Sequence, residues 1–175
     1  PDTPMGAKRA ANGRREPYGV KLWQIGNETF GDAYNASIKD FAVAMRRADP
    51  SIKLIAASTH PDMLRFGGGE LDYICDHHYG CNDLARMNAS FDDLRAQTKT
   101  SSGRPVRVAV TEWNTTAAEW GLKRAALLTL GNALDCARYH NILQRNADIA
   151  EISIRSNLSD SFCSGIIQPC LLYTS

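Results

Sequence analysis

Two glutamates in this sequence stand in matching surroundings. Glu28 closes the run Trp23-Gln24-Ile25-Gly26-Asn27-Glu28, and Glu112 follows Val108-Ala109-Val110-Thr111 and precedes Trp113-Asn114. In both, a stretch of strand character ends at a carboxylate with an amide beside it and an indole close by. A single glutamate is ordinarily a solvated surface residue. Two at the tips of two strands suggest paired chemistry. An apolar wall disfavours the charged form of a carboxyl and hydrogen bonds favour it, so two such sites can keep one acid protonated and the other ionised. That is the condition for an acid and a nucleophile acting at one sugar centre. Trp and Tyr offer flat apolar faces to sugar C–H groups, and Asn offers hydrogen bonds to hydroxyls.

Between them lies Cys75-Asp76-His77-His78-Tyr79-Gly80-Cys81. All the side-chain types of a zinc site are present. The spacing is wrong for one, with neither a Cys-x-x-Cys pair nor a helical His-x-x-x-His. On a strand, neighbouring side chains alternate faces and cannot all converge on one ion. Read by composition alone, His77 and His78 are ordinary loop histidines. His60 and His140 belong to no constellation. Gly67-Gly68-Gly69 is followed by no Lys-Ser/Thr pair and reads as a turn, not a phosphate loop. Trp113 and Trp120 divide evenly between pocket wall and core.

The elements that must hold these residues alternate. Residues 1 to 17, rich in Pro, Gly and Arg, read as loop. Val20 to Ile25 reads as a strand broken by Gly26. Asn35 to Ala48 carries Ile38, Phe41, Ala42 and Met45 at helical spacing, stopped by Asp49-Pro50. Ile52 to Ala57 is a short apolar strand, Leu71 to Cys75 another, and Val106 to Val110 a fourth. Ser90-Phe91-Asp92-Asp93 fits a helix start. Gly121 to Gln144 reads as a long helix and Ile149 to Ile154 as a fifth strand. About five strand–helix alternations predict an α/β fold with a parallel sheet, open or closed. The candidate residues fall at the strands' carboxyl ends, where such sheets place their sites.

Composition narrows the classes. The 175 residues are 43% hydrophobic and 22% charged with a net charge of +1, a globular balance with no field to attract nucleic acid or anionic lipid. No apolar run nears the ~18 residues of a membrane span. Five cysteines (Cys75, Cys81, Cys136, Cys163, Cys170) are odd in number and scattered, which does not read as a disulfide framework but leaves room for one bridge. The beginning, without an initiator Met or signal peptide, and the abrupt ending predict a piece of something longer, with localisation left open.

At the level of motifs the sequence resembles the α-L-arabinofuranosidases of glycoside hydrolase family 51. The resemblance rests on Trp23-Gln24-Ile25-Gly26-Asn27-Glu28, Asp72-Tyr73-Ile74-Cys75-Asp76-His77-His78-Tyr79-Gly80 and Val110-Thr111-Glu112-Trp113-Asn114, in that order. Asn157 to Gln168 is similar to the family's segment around its eighth strand, so the resemblance runs from about residue 17 to 168. It implies strands four to eight of a (β/α)8 TIM barrel across residues 1–175, without the early strands or the family's β-sandwich. It implies Glu28 as general acid/base, Asn27 as a partner of the sugar 2-hydroxyl, and Glu112 as nucleophile. His77 and Tyr79 then line the sugar pocket and hold the nucleophile, and Trp113 walls it. No metal or organic cofactor is required. The implied partner is an arabinose-containing carbohydrate, with a homo-oligomer compatible in a longer protein.

The implied reaction is double displacement, with the carboxyls about 5–5.5 Å apart. The two glutamates stand closer in sequence than is usual for the family, which implies trimmed loops after the fifth and sixth strands. Half a barrel exposes two sheet edges and an apolar interior, so the 175 residues alone are expected to be poorly stable and inactive. The competing readings are another retaining barrel glycosidase (an endoglucanase or xylosidase), a non-catalytic sugar-binding fragment, and a metal protein using Cys75 to Cys81.

Overall fold

In a computed structural model of the chain, residues 2–101, 103–116, 123 and 127–156 are described. Trp120, Cys163, Cys170 and the segment from Asn157 to Gln168 lie outside them, as do most residues from 117 to 126.

Five strands form one parallel sheet in chain order: β1 (Leu22–Ile25), β2 (Lys53–Ala56), β3 (Tyr73–Tyr79), β4 (Arg107–Asn114) and β5 (Ala150–Arg155). Helices α2 (Asp32–Ala48), α3 (Met63–Phe66), α4 (Leu84–Thr98) and α5 (Leu130–Arg145) make the crossovers. Parallel neighbours cannot be joined by tight turns, so each strand must return through a helix on one side. One side of the sheet is therefore thickly covered. Tyr34, Ile38 and Ala42 of α2, Met87, Phe91 and Leu94 of α4, and Tyr139 and Ile142 of α5 are buried at helical spacing. They close on Leu54, Ala56, Ile74, Val108 and Val110. The opposite face carries a smaller cluster of Ile55, Tyr73, Cys75 and Ala109, with Ile152 against it. No described helix is long and apolar enough to cross a membrane.

Several expectations need correcting. Residues 1 to 17 are not all loop: α1 (Pro4–Ala11) is a helix, with Thr3 Oγ1 accepting from the Gly6 N–H at 3.0 Å and Pro4 in the first turn. A hydroxyl cap followed by Pro is a helix start, because the proline lacks a donor that would be orphaned there anyway. The fourth helix does not begin at Ser90. It begins at Leu84, where Asp83 Oδ1 accepts from the Arg86 N–H at 3.1 Å. Ser90 lies inside it and Phe91 is buried beneath it. Phe41, expected on the apolar stripe of α2, is 57% exposed. The last helix, among the described residues, begins at Leu130, where Thr129 caps the Asn132 N–H.

The strands also run further than their apolar cores. β3 continues through His77, His78 and Tyr79, and β4 through Glu112 and Trp113. His77, Tyr79, Glu112 and Trp113 are thus held by a ladder, not by loops.

At the amino ends of the strands a charged cluster fixes β2 against β3. Arg46 of α2 donates to the carbonyls of Ile52 and Glu70 and to Asp72 Oδ2 at 2.5 Å, and Asp72 Oδ2 accepts from the Leu54 N–H at 2.7 Å.

Candidate active site

The site begins with an irregularity in the sheet. Between Cys75 and His77 β3 advances two positions, while its partner β4 advances three, from Ala109 to Glu112. The β4–β5 register shifts over the same stretch, between Val110 and Trp113. β4 therefore carries one extra residue, a bulge. In a regular strand Thr111 and Glu112 would face opposite sides. The bulge lets both face inward, as such insertions do beside active sites. Thr111 Oγ1 meets Cys75 Sγ at 2.9 Å and His77 Nε2 at 3.1 Å. Glu112 receives a hydrogen bond from the Tyr79 hydroxyl. Trp113 resumes the alternation and points outward, 1% exposed, against Tyr139 and His140 of α5. It belongs to the core, and the structure does not bring it to the other candidate residues.

Glu28 arrives from the far side, off the tip of β1. Gly26 (φ 89°) makes the turn, and a Cβ there would lie 3.1 Å from Thr29 Oγ1. Glu28 itself has φ 48°, the one non-glycine among the described residues in the left-handed region. Backbone strain of this kind gathers at functional sites, held by surrounding structure. Part of that hold is Tyr34, whose buried hydroxyl donates to the Ile25 carbonyl at 2.9 Å and accepts from the Ala57 N–H at 2.8 Å. One phenol thereby fastens the tips of β1 and β2 to α2.

His77 stands between the two glutamates. Its Nδ1 is 3.0 Å from Glu28 Oε1 and 3.7 Å from Glu112 Oε2. A carboxylate oxygen of Glu28, one of Glu112 and a ring nitrogen of His77 all lie within 4.8 Å of one another. Exposure is graded: the His77 side chain is 12% exposed, Glu112 30% and Glu28 59%. A cleft of about 460 Å³ opens beside them, lined by Glu28, Phe30, Ser58, Thr59, Asp76 and His77 among others, a size that suits a small ligand. Asn27, next to Glu28 in the chain, is exposed, and its carbonyl accepts from Thr29 Oγ1.

Behind the strand, His78 faces the helices. Its Nδ1 is 2.6 Å from the Tyr139 hydroxyl, and its Nε2 is 3.1 Å from Asp76 Oδ2 and 3.0 Å from Ser90 Oγ. Burial pushes the Tyr139 phenol far up, so it stays protonated and donates to Nδ1. Nε2–H then donates to Asp76. Burial pushes the Asp76 carboxyl up, but the hydrogen bonds it accepts from His78, Ser90 and the His77 N–H hold it below its ordinary value. His77 and His78 are therefore not loop histidines. They serve opposite faces of one strand, and the Cys75-to-Cys81 segment does not converge on one point. Cys81, buried and donating to the His78 carbonyl, has its thiol pushed up to about 12 by burial. An inert, structural cysteine follows.

The sequence does not single out Thr111 or Tyr34 as site residues, and it offers Cys75 only as a metal ligand. Thr111 had one signal, its place beside Glu112, but only the bulge brings it inward.

Residues 1–99 match the family described as the alpha-L-arabinofuranosidase 1 domain. The intracellular exo-alpha-(1->5)-L-arabinofuranosidase of Acetivibrio thermocellus is 31% identical over 141 residues, covering 61% of this chain and 28% of that protein. The solved structure of a thermostable family 51 α-L-arabinofuranosidase from Thermotoga petrophila covers 94% of this chain and 39% of its own, with TM-score 0.77 and 23% identity. The arabinose complex of the Thermotoga maritima α-L-arabinofuranosidase gives 0.71 at 22% identity, with coverage of 94% and 39%. At those identities the two structures speak to the fold, and it matches part of a family 51 barrel. This chain spans well under half the length of each of these relatives.

Proposed function

Since this chain belongs to the alpha-L-arabinofuranosidase 1 domain family of glycoside hydrolase family 51, we propose that it carries the catalytic carboxylates of a retaining arabinofuranosidase. In this reading its five strands are the fourth to eighth of the barrel. The observation that carries the proposal is the approach of Glu28 and Glu112 oxygens to within 4.8 Å across His77. Retaining enzymes hold their two carboxyls about 5–5.5 Å apart, whereas inverting enzymes leave ~6.5–9.5 Å for a water.

Glu28, the more exposed, protonates the leaving glycosidic oxygen. Glu112 attacks the anomeric carbon and forms a glycosyl-enzyme. Glu28 then takes a proton from water, which attacks the same carbon and releases the sugar with its configuration retained. Tyr79 aims the nucleophile through its hydrogen bond. His77, fixed by Thr111, keeps the Glu28 side chain turned toward Glu112. Asn27 is the hydrogen-bond partner for a sugar hydroxyl. The substrate is a terminal α-L-arabinofuranosyl unit on a polysaccharide or oligosaccharide.

The test uses this segment within a polypeptide of the relatives' length, assayed on an aryl α-L-arabinofuranoside. Glu28→Gln and Glu112→Gln are each expected to lower kcat by about 10²–10⁴-fold, with circular dichroism unchanged. Wild-type turnover in either variant would overturn the reading. The 175 residues by themselves are expected to turn over poorly.

A further inference from the structure

The geometry points to a second use of the same three side chains: Glu28, His77 and Glu112 form a binding site for a divalent cation of the zinc class, whose occupancy blocks the sugar. One imidazole nitrogen and two carboxylates are three ligands of the types zinc takes, and a fourth position is open to solvent. Zinc sits about 2 Å from each ligand atom, so tetrahedral ligands lie roughly 3.3 Å apart. The His77 Nδ1 distances to Glu28 (3.0 Å) and Glu112 (3.7 Å) bracket that value. The remaining edge is within 4.8 Å, and Glu28, on the exposed tip of β1, has the freedom to close it.

Outer contacts favour the same arrangement. A zinc-binding histidine is held by a hydrogen bond from its other nitrogen, which fixes ring and tautomer. His77 has that partner in Thr111 Oγ1, 3.1 Å from Nε2, and Thr111 is itself backed by Cys75 Sγ at 2.9 Å. On Glu112 the Tyr79 hydroxyl occupies Oε1, which leaves Oε2 turned toward His77. The ligands are therefore oriented before any ion arrives. Magnesium, which demands six oxygen-rich positions, is a poor match. An ion seated between the two carboxylates fills the space the anomeric carbon must occupy, so zinc acts as a reversible competitor. Binding rests on geometry alone; only the inhibition rests on the reading of the site as a glycosidase.

Calorimetric titration of the protein with zinc sulfate at neutral pH tests the site. One equivalent is expected to bind, and magnesium chloride is expected to give no heat. His77→Asn and Thr111→Val should each weaken zinc at least about tenfold, the scale of losing a ligand or its outer partner. Thr111→Ser, which keeps the hydroxyl, should bind as wild type does, and so should His60→Gln and His140→Gln. Zinc affinity that is unchanged in a folded His77→Asn variant overturns the proposal, and so does the absence of zinc heat in the folded wild type. Arabinofuranoside hydrolysis without zinc binding would overturn this inference and leave the glycosidase reading standing. Zinc binding that follows His77 supports the site even in a polypeptide that hydrolyses nothing.

Discussion

The chemistry of the site is set by what each carboxylate touches. Glu112 is half enclosed and receives a hydrogen bond from Tyr79; Glu28 reaches out from a strained turn and meets His77. Removing the Tyr79 hydroxyl leaves Glu112, the proposed nucleophile, in place but without the bond that aims it. Tyr79→Phe is therefore expected to lower kcat by about 10–100-fold, the effect of losing an outer orienting contact, with KM little changed; steady-state kinetics on an aryl arabinofuranoside check this. At this scale the sequence was informative. The motifs around Glu28, Glu112, His77 and Tyr79 name residues that the structure brings together at the carboxyl ends of β1, β3 and β4. Trp113 shows the limit: beside Glu112 in sequence, it lies on the other side of the sheet, because adjacent strand residues part company.

Among the elements, the alternation of strands and helices was legible, since apolar runs and helical stripes leave a periodic trace. What the sequence hid was local. A Ser-x-x-Asp pattern occurs inside α4 without starting it, and the real cap, Asp83, sits in a polar turn with no distinctive partner. The ends of β3 and β4 were cut short because their last residues are polar, and polar residues at a strand tip look like loop. The bulge in β4 leaves no compositional mark, yet it decides which way Glu112 faces. Tyr34 was equally silent, an aromatic on a helix whose hydroxyl completes the backbone bonding of two strand tips. Tyr34→Phe leaves the Ala57 N–H without its hydroxyl partner, and a buried unsatisfied backbone group costs about 1–3 kcal/mol. Urea unfolding should show a loss of that size with an unchanged m value. A loss under a few tenths of a kcal/mol would mean that the tips are held in other ways.

For the whole molecule, one covered face and one thinly covered face have consequences. Leu22 and Trp23 on β1 are 40% and 45% exposed, and Ile154 on β5 is 52% exposed, so both outer strands carry apolar surface. Stability then depends heavily on the polar anchors between elements. Arg46→Ala should cost about 1–3 kcal/mol, because Asp72 Oδ2 and the carbonyls of Ile52 and Glu70 lose their charged donor while Arg104 stays beside Asp72 Oδ1; chemical denaturation measures it. Acid should act through Asp76, which ties β3 to α4. Its carboxyl lies below 3.8 in the folded chain, so on acidification the unfolded chain takes up the proton first. The anchor's contribution is present above that value and is lost as pH falls through the lower, folded one. Melting temperature should accordingly fall below about pH 4, and fall less steeply in Asp76→Asn. Equal slopes would assign the acid sensitivity to other carboxylates.

The most direct measurement of the central claim is the configuration of the product formed with azide by the two alanine variants, in the polypeptide of the relatives' length. In the proposed mechanism Glu112→Ala forms no glycosyl-enzyme, so azide should attack the substrate directly and give the inverted arabinofuranosyl azide. In Glu28→Ala the glycosyl-enzyme still forms from an aryl arabinofuranoside with a good leaving group, and azide should give the retained product. Two opposite anomers from the two variants are the predicted result. The same anomer from both, or no azide adduct with turnover intact, would contradict the assignment of these two glutamates.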